Sequence, residues 1–222
     1  LLATVKEFCE KEVKEQCKEF DATGQWPEEI NRKAIEMGLN ALDIPEQYGG
    51  IGLDKVTYAA LYEEMSKADA GLFTTMSATG LSFKPLMLAG TEEQKQRGAD
   101  IILNGGLGAF CLTEPMAGSD ASNNKTTAVK YGDEYVLNGR KCFITNGGVA
   151  DFYIITAMTD KEKGVKGMST FFVEKGTPGL SSGNEENKMG IRTSNTADVV
   201  MEDVRVPASA MIGTEGKGFN IA

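Results

Sequence analysis

The chain has 222 residues, a net charge of −9, 41% hydrophobic and 25% charged residues, the balance of a soluble globular protein. Its basic residues are scattered among an acidic excess, which argues against nucleic acid or an anionic membrane surface as a partner. No apolar run approaches the ~18–20 residues of a membrane span. There is no histidine, so Ser-His-Asp chemistry, Cys-His chemistry and His-ligated metals are excluded, and proton transfer would fall to carboxylates, Lys, Tyr or a cofactor.

No signal peptide is visible, because Leu1-Leu2-Ala3 leads straight into an amphipathic pattern. The lack of an initiator Met points to a start upstream. Residues 1–20 read as a helix, with Val5, Phe8, Cys9, Val13, Cys17 and Phe20 on its apolar face. Asp21–Gln25 reads as a turn, Pro27 suits the first position of a second helix, and Gly38 its C-terminal cap. Asn40–Leu53 is a loop. Asp54 caps a helix through Tyr58, Leu61 and Met65. Ala70–Leu88 is an apolar helix in which Pro85 marks a kink or junction. Thr91-Glu92-Glu93-Gln94 is a capping box opening a helix that ends near Leu103.

After Gly106 the apolar period changes to two. Thr126–Lys130 and Tyr135–Leu137 read as strands paired around Gly132-Asp133, and Asn138-Gly139 as a further hairpin turn. Lys141–Thr145, Tyr153–Met158, Ser169–Val173 and Ala197–Val206 supply the other strands. No helix long enough for a parallel crossover separates them. The expected fold is therefore α+β: an all-α helical domain over residues 1–106, then an antiparallel β-barrel or sandwich over 107–212. The glycine-rich GTEGKGFNIA from Gly213 reads as the entry to another helix, so residues 213–222 are expected to begin a further helical domain, with the chain as a fragment of a longer protein.

Several tempting features have plain readings. Glu63-Glu64 and Glu185-Glu186 are adjacent and point to different sides, as solvated charge. Cys9, Cys17, Cys111 and Cys142 form no CxxC pair. Cys9 and Cys17 sit ~12 Å apart along a helix axis, too far to bridge, so all four read as reduced and intracellular. Cys111 lacks a base and reads as a small buried residue. Trp26 reads as a staple to the core.

The segment Cys111-Leu112-Thr113-Glu114-Pro115-Met116-Ala117-Gly118-Ser119-Asp120 resembles the signature of the acyl-CoA dehydrogenase flavoproteins. The resemblance continues through Asn138-Gly139-Arg140-Lys141, Phe143-Ile144-Thr145-Asn146-Gly147-Gly148, Thr177-Pro178-Gly179, Lys188–Arg192 and Glu202–Pro207. Upstream, Pro45-Glu46-Gln47-Tyr48-Gly49-Gly50 and Glu63-Glu64 also look like the family. The Phe143–Gly148 turn and Gly213–Phe219 look most like bacterial short-chain, butyryl-CoA-type members. Phe143 stands where Trp is common in the family, Phe110 where Tyr is common, and Asn123 where a small residue is usual.

This resemblance implies FAD as cofactor and α,β-dehydrogenation of a short-chain acyl-CoA to trans-2-enoyl-CoA, as in fatty-acid β-oxidation. Carried over by position, Phe110, Leu112 and Thr113 edge the isoalloxazine, Gly118 and Ser119 meet the FAD pyrophosphate, and Ser119 also meets CoA. Phe143 flanks the ring, Ile144 belongs to the same wall, and the Thr145 hydroxyl approaches N5. Thr74, Thr75, Ser77, Ala78 and Leu81 line the acyl tail. The resemblance further implies electron-transfer flavoprotein as acceptor, a homotetramer and a bacterial cytoplasmic location. No catalytic base is assigned within the 222 residues, and Glu114 reads as a turn carboxylate bonding nearby backbone. The alternatives are an acyl-CoA oxidase, an enoyl-CoA reductase, or a non-catalytic acyl-CoA/flavin-fold binding module.

Overall fold

The computed structural model describes residues 1–222. The first helical stretch is α1 (Leu2–Phe8), a π-helical turn over Cys9–Val13 and α2 (Lys14–Thr23). Helix therefore continues through Asp21–Thr23, and the turn begins only at Gly24, at φ 75°. α3 (Glu28–Glu36) follows Pro27, and α4 (Lys55–Ala68) starts where the Asp54 carboxylate accepts from the Val56 and Thr57 N–H groups. α5 (Ala70–Ala89) runs unbroken through Pro85, and α6 (Glu92–Leu103) opens on the complete Thr91–Gln94 capping box. The apolar faces of α1, α2, α3, α4 and α5 meet in one core built on Val5, Val13, Ile30, Leu61, Met65, Leu72 and Met76.

The strands are β1 (Gly108–Cys111), β2 (Thr127–Tyr131), β3 (Glu134–Thr145), β4 (Phe152–Met158), β5 (Met168–Glu174), β6 (Leu180–Glu185), β7 (Thr196–Pro207) and β8 (Met211–Ile212). They form one sheet in the order β6-β7-β3-β2-β4-β5-β8, with β1 beside β4. The α+β class stands, with two differences in the sheet. It is mixed, because β1 and β2 both run parallel to β4 while the other pairings are antiparallel. It is also open, with β6 and β8 as free edges, and so is not a closed barrel. The parallel β1–β4 contact needs no crossover helix because the β2–β3 hairpin lies between the two strands in sequence.

Asn138-Gly139 is not a turn. Both residues lie inside β3, where the register with β7 shifts between Leu137 and Gly139. Long-range pairing overrides the local signal here. The Asn138 side chain exchanges hydrogen bonds with the Asp203 carboxylate and N–H, and a Cβ on Gly139 would fall 2.8 Å from the Thr126 backbone. Gly139 sits at φ 153°, so glycine serves a bulge and a close strand approach rather than a hairpin.

Alternation along β4 and β5 feeds two cores. Tyr153, Ile155, Ala157, Phe171 and Val173 enter the sheet's own core, while Phe152, Ile154 and Phe172 meet Phe83 and Leu86 of α5 and Ala99 and Ile102 of α6. That second core fastens the sheet to the helices. β1 approaches α5 so closely that a Cβ on Gly108 would lie 2.0 Å from Ser82 Oγ. The short α7 (Gly218–Ile221) rests on β5, and Gly218 has no room for a Cβ against Ser169.

Candidate cofactor and substrate site

The site is built where β1 ends beside the second half of β3. Cys142 N–H donates to Thr113 O at 3.0 Å, which ties the two segments together. Beyond Lys141 the β3–β7 register slips again, and Phe143 takes φ 57°. That turns its ring outward, 62% exposed, while Ile144 points back into the sheet core. A large aromatic held outward by a left-handed bulge is an apolar surface awaiting a partner.

Around that ring the polar groups are unspent. No backbone acceptor takes the N–H of Leu112 or Thr113. Both residues are half-buried, as are Phe110 and Thr145. From Met116 to Asn123 the chain forms a surface loop braced by Asn123 Nδ2, which donates 3.0 Å to Met116 O. Gly118 and Ser119 are exposed on it, and their N–H groups make no backbone hydrogen bond. An apolar ring, half-buried apolar edges and a row of free donors fit a planar heteroaromatic cofactor with a polar tail such as FAD.

Glu114 is more than a turn carboxylate. Its oxygens accept from Lys125 N–H at 2.6 Å and Thr126 N–H at 3.1 Å, 11 and 12 residues on, rather than from the backbone of its own turn. They also meet Lys141 Nζ at 2.8 Å, and both side chains are buried. Lys141 Nζ also reaches Asn124 Oδ1 at 2.6 Å, Thr156 Oγ1 at 3.0 Å and Leu112 O at 3.2 Å. Burial pulls the Lys141 ammonium below its ordinary pKa, with Glu114 opposing. Burial likewise works against the Glu114 charge, but Lys141, Thr126 and Lys125 outweigh it and hold the carboxyl below the usual range. A carboxylate so committed is a poor proton acceptor. Sequence reading missed this pair; a Lys inside an otherwise β-periodic run was the available signal.

The face of α5 presents Thr74, Ser77, Ala78 and Leu81 at helical spacing, and Leu81 is exposed. The Thr74 hydroxyl bonds Ala70 O and the Ser77 hydroxyl bonds Thr74 O. Thr75 lies beside Ala78 at the buried margin of this face, fully buried with its hydroxyl unpaired. Asn146, also missed in the sequence, fixes this helix to the site: its amide donates to Thr75 O and Gly108 O. A groove of about 920 Å³ between α6 and β5 and a cleft of about 740 Å³ beside Trp26 are lined by none of the predicted site residues. Trp26 is thus a half-buried cleft wall rather than a core staple. Cys111 is buried, and loss of solvation pushes its thiol up to about 12, as suits an inert packing residue.

Two family descriptions match in tandem: the N-terminal domain of acyl-CoA dehydrogenases over residues 1–105 and their middle domain over residues 109–204. The chain belongs to the acyl-CoA dehydrogenase family. The short-chain-specific acyl-CoA dehydrogenase of Clostridium acetobutylicum is 47% identical over 98% of this chain and 58% of its own length. The solved butyryl-CoA dehydrogenase of Megasphaera elsdenii superposes with a TM-score of 0.94 at 46% identity, over 99% of this chain and 59% of that one. A chain from a structure described as the electron transferring flavoprotein of Acidaminococcus fermentans superposes with a TM-score of 0.95 at 46% identity, over 99% of this chain and 58% of that one. The chain thus spans less than two thirds of the length of these relatives.

Proposed function

We propose that the protein serves FAD-dependent α,β-dehydrogenation of a short-chain acyl-CoA, giving the trans-2-enoyl-CoA. The carrying observation is that Thr113, whose N–H no backbone group accepts from, is hydrogen-bonded through its carbonyl to Cys142, the residue before the outward Phe143 ring. Phe143 would cover a face of the isoalloxazine, and Phe110 and Leu112 its edge. The Thr113 N–H and hydroxyl would hold the pyrimidine side, the Thr145 hydroxyl would approach N5, and Gly118 and Ser119 would meet the phosphates. Ile144 contributes through its backbone, since its side chain is in the core.

FAD, when bound, supplies the acceptor for the hydride leaving the substrate β-carbon. The chain's residues exclude water and aim donors; Thr74, Ser77, Ala78 and Leu81 would wall the acyl tail, with Thr75 behind them. No carboxylate among these residues is free at the flavin wall, because Glu114 is spent on Lys141, Lys125 and Thr126. A base from elsewhere in the assembled enzyme must take the α-proton. We further propose electron-transfer flavoprotein as electron acceptor, a homotetramer and a cytoplasmic location; no helix is long and apolar enough to cross a membrane.

Expressed as the complete product of its gene, the protein is expected to be yellow and to bleach anaerobically with butyryl-CoA. A colourless protein binding neither FAD nor acyl-CoA would sink the reading, and rapid reoxidation by oxygen would mark an oxidase instead. The 222-residue chain alone is expected to hold FAD weakly and not turn over.

A further inference from the structure

We infer that Lys141 is a positioning residue that aims and polarises the Thr113 N–H toward the bound flavin. The inference rests on the cofactor reading above and adds to it the buried device that makes the donor. Every peptide bond here is trans, so Leu112 C=O and Thr113 N–H point in opposite directions from one planar unit. The Leu112 carbonyl is drawn inward by Lys141 Nζ at 3.2 Å and by Asn124 Nδ2 at 3.3 Å. The Thr113 N–H must then face away from the cluster, where no backbone group accepts from it.

The neighbouring peptide is treated the same way. Thr156 Oγ1 accepts from Lys141 Nζ and shares its one proton between Asn124 Oδ1 at 2.9 Å and Cys111 O at 3.3 Å, so the Cys111 carbonyl meets the cluster through the weaker arm. Two successive carbonyls therefore meet one cationic cluster, leaving the successive N–H groups of Leu112 and Thr113 on the other side, as in backbone concavities that receive electron-rich atoms. An ammonium on the carbonyl also strengthens the donor at the far end of the same peptide, because chained hydrogen bonds polarise one another. Glu114 has a defined part: it neutralises Lys141 where an unpaired charge would be costly, and Asn124 and Thr156 complete the ammonium's partners.

The test replaces the pair together, Lys141→Met with Glu114→Gln, so that no charge is stranded. In the FAD-free protein, the Thr113 amide nitrogen resonance is expected to shift upfield, an outcome independent of cofactor. In the FAD-loaded protein, affinity is expected to fall on the order of tenfold, with a changed visible flavin spectrum. A folded double variant with the Thr113 resonance, spectrum and affinity all unchanged overturns the inference. A shifted Thr113 resonance in a protein that never binds FAD would defeat the cofactor reading and leave the positioning role standing. Should the double variant fail to fold, the unmutated protein decides: a through-bond correlation between Lys141 Nζ and the Leu112 carbonyl carbon supports the contact, and its absence overturns it.

Discussion

Asn146 Nδ2, at the turn that closes β3, donates to the carbonyl of Thr75 in α5 at 3.0 Å. The same amide donates to Gly108 O at 3.1 Å, so one fully buried side chain joins helix, β1 and β3. Asn146 also sits at φ 64°, where Asn is tolerated better than most residues. Asn146→Ala is expected to cost about 2–3 kcal/mol, from lost buried hydrogen bonds plus left-handed strain. Asn146→Gly keeps the backbone conformation and should cost about 1 kcal/mol less. Urea unfolding of both variants checks this; equal losses would mean that φ contributes nothing.

The features legible in the sequence were those fixed by neighbours along the chain. The Thr91–Gln94 capping box, the Asp54 cap and the change of period after Gly106 are local and appear where expected. What the sequence concealed depends on partners far away. Asn138-Gly139 carries the composition of a turn, yet its outcome is set by Asp203, 65 residues on. β6 is almost wholly exposed, so no apolar alternation announces it. Of the motif positions, Phe143 and Thr145 lie on β3, and Thr113, just past β1, is tied to Cys142 of the same strand. Lys141 and Asn146 stood in the same motifs, but burial and bonding gave them their roles, and neither can be counted from spacing.

The buried Glu114–Lys141 pair should show itself in a mutant cycle. Lys141→Met alone leaves the Glu114 carboxylate buried without its cation and is expected to cost about 3–5 kcal/mol. Adding Glu114→Gln should recover much of that loss, because the stranded charge goes. Equal losses for the single and double variants would refute strong coupling. The acid limb gives a second reading. The Glu114 carboxyl is held below its ordinary value, so between its folded and unfolded pKa the unfolded state binds more protons. The stability it contributes is present above the unfolded value of about 4.3 and is lost as pH falls through the folded one. The unfolding free energy of the double variant should fall less steeply with pH below that point.

All four cysteines are free and buried. Desolvation, aided by nearby acidic groups, raises the Cys9 thiol to about 11 and Cys17 to about 12. Cys111 reaches about 12 by desolvation, against an opposing Lys141 charge. Since thiolate is the reacting form, an aromatic disulfide reagent at mildly alkaline pH should label none of them in the folded protein. Labelling should then track global unfolding in urea. A thiol reacting at once under native conditions would show that its cover opens locally.

Phe143 separates stability from binding. Its ring is exposed and its backbone strained, so little burial is lost on truncation. Phe143→Ala should change unfolding free energy by no more than about 0.5 kcal/mol. FAD binding should nevertheless weaken by about 0.5–1.5 kcal/mol, the range for an aromatic contact beyond simple area. Phe143→Trp keeps a planar apolar face and should retain most of the affinity. Flavin fluorescence titrations beside urea curves distinguish the two quantities. Unchanged FAD affinity in a stably folded Phe143→Ala protein would remove the ring from the cofactor wall.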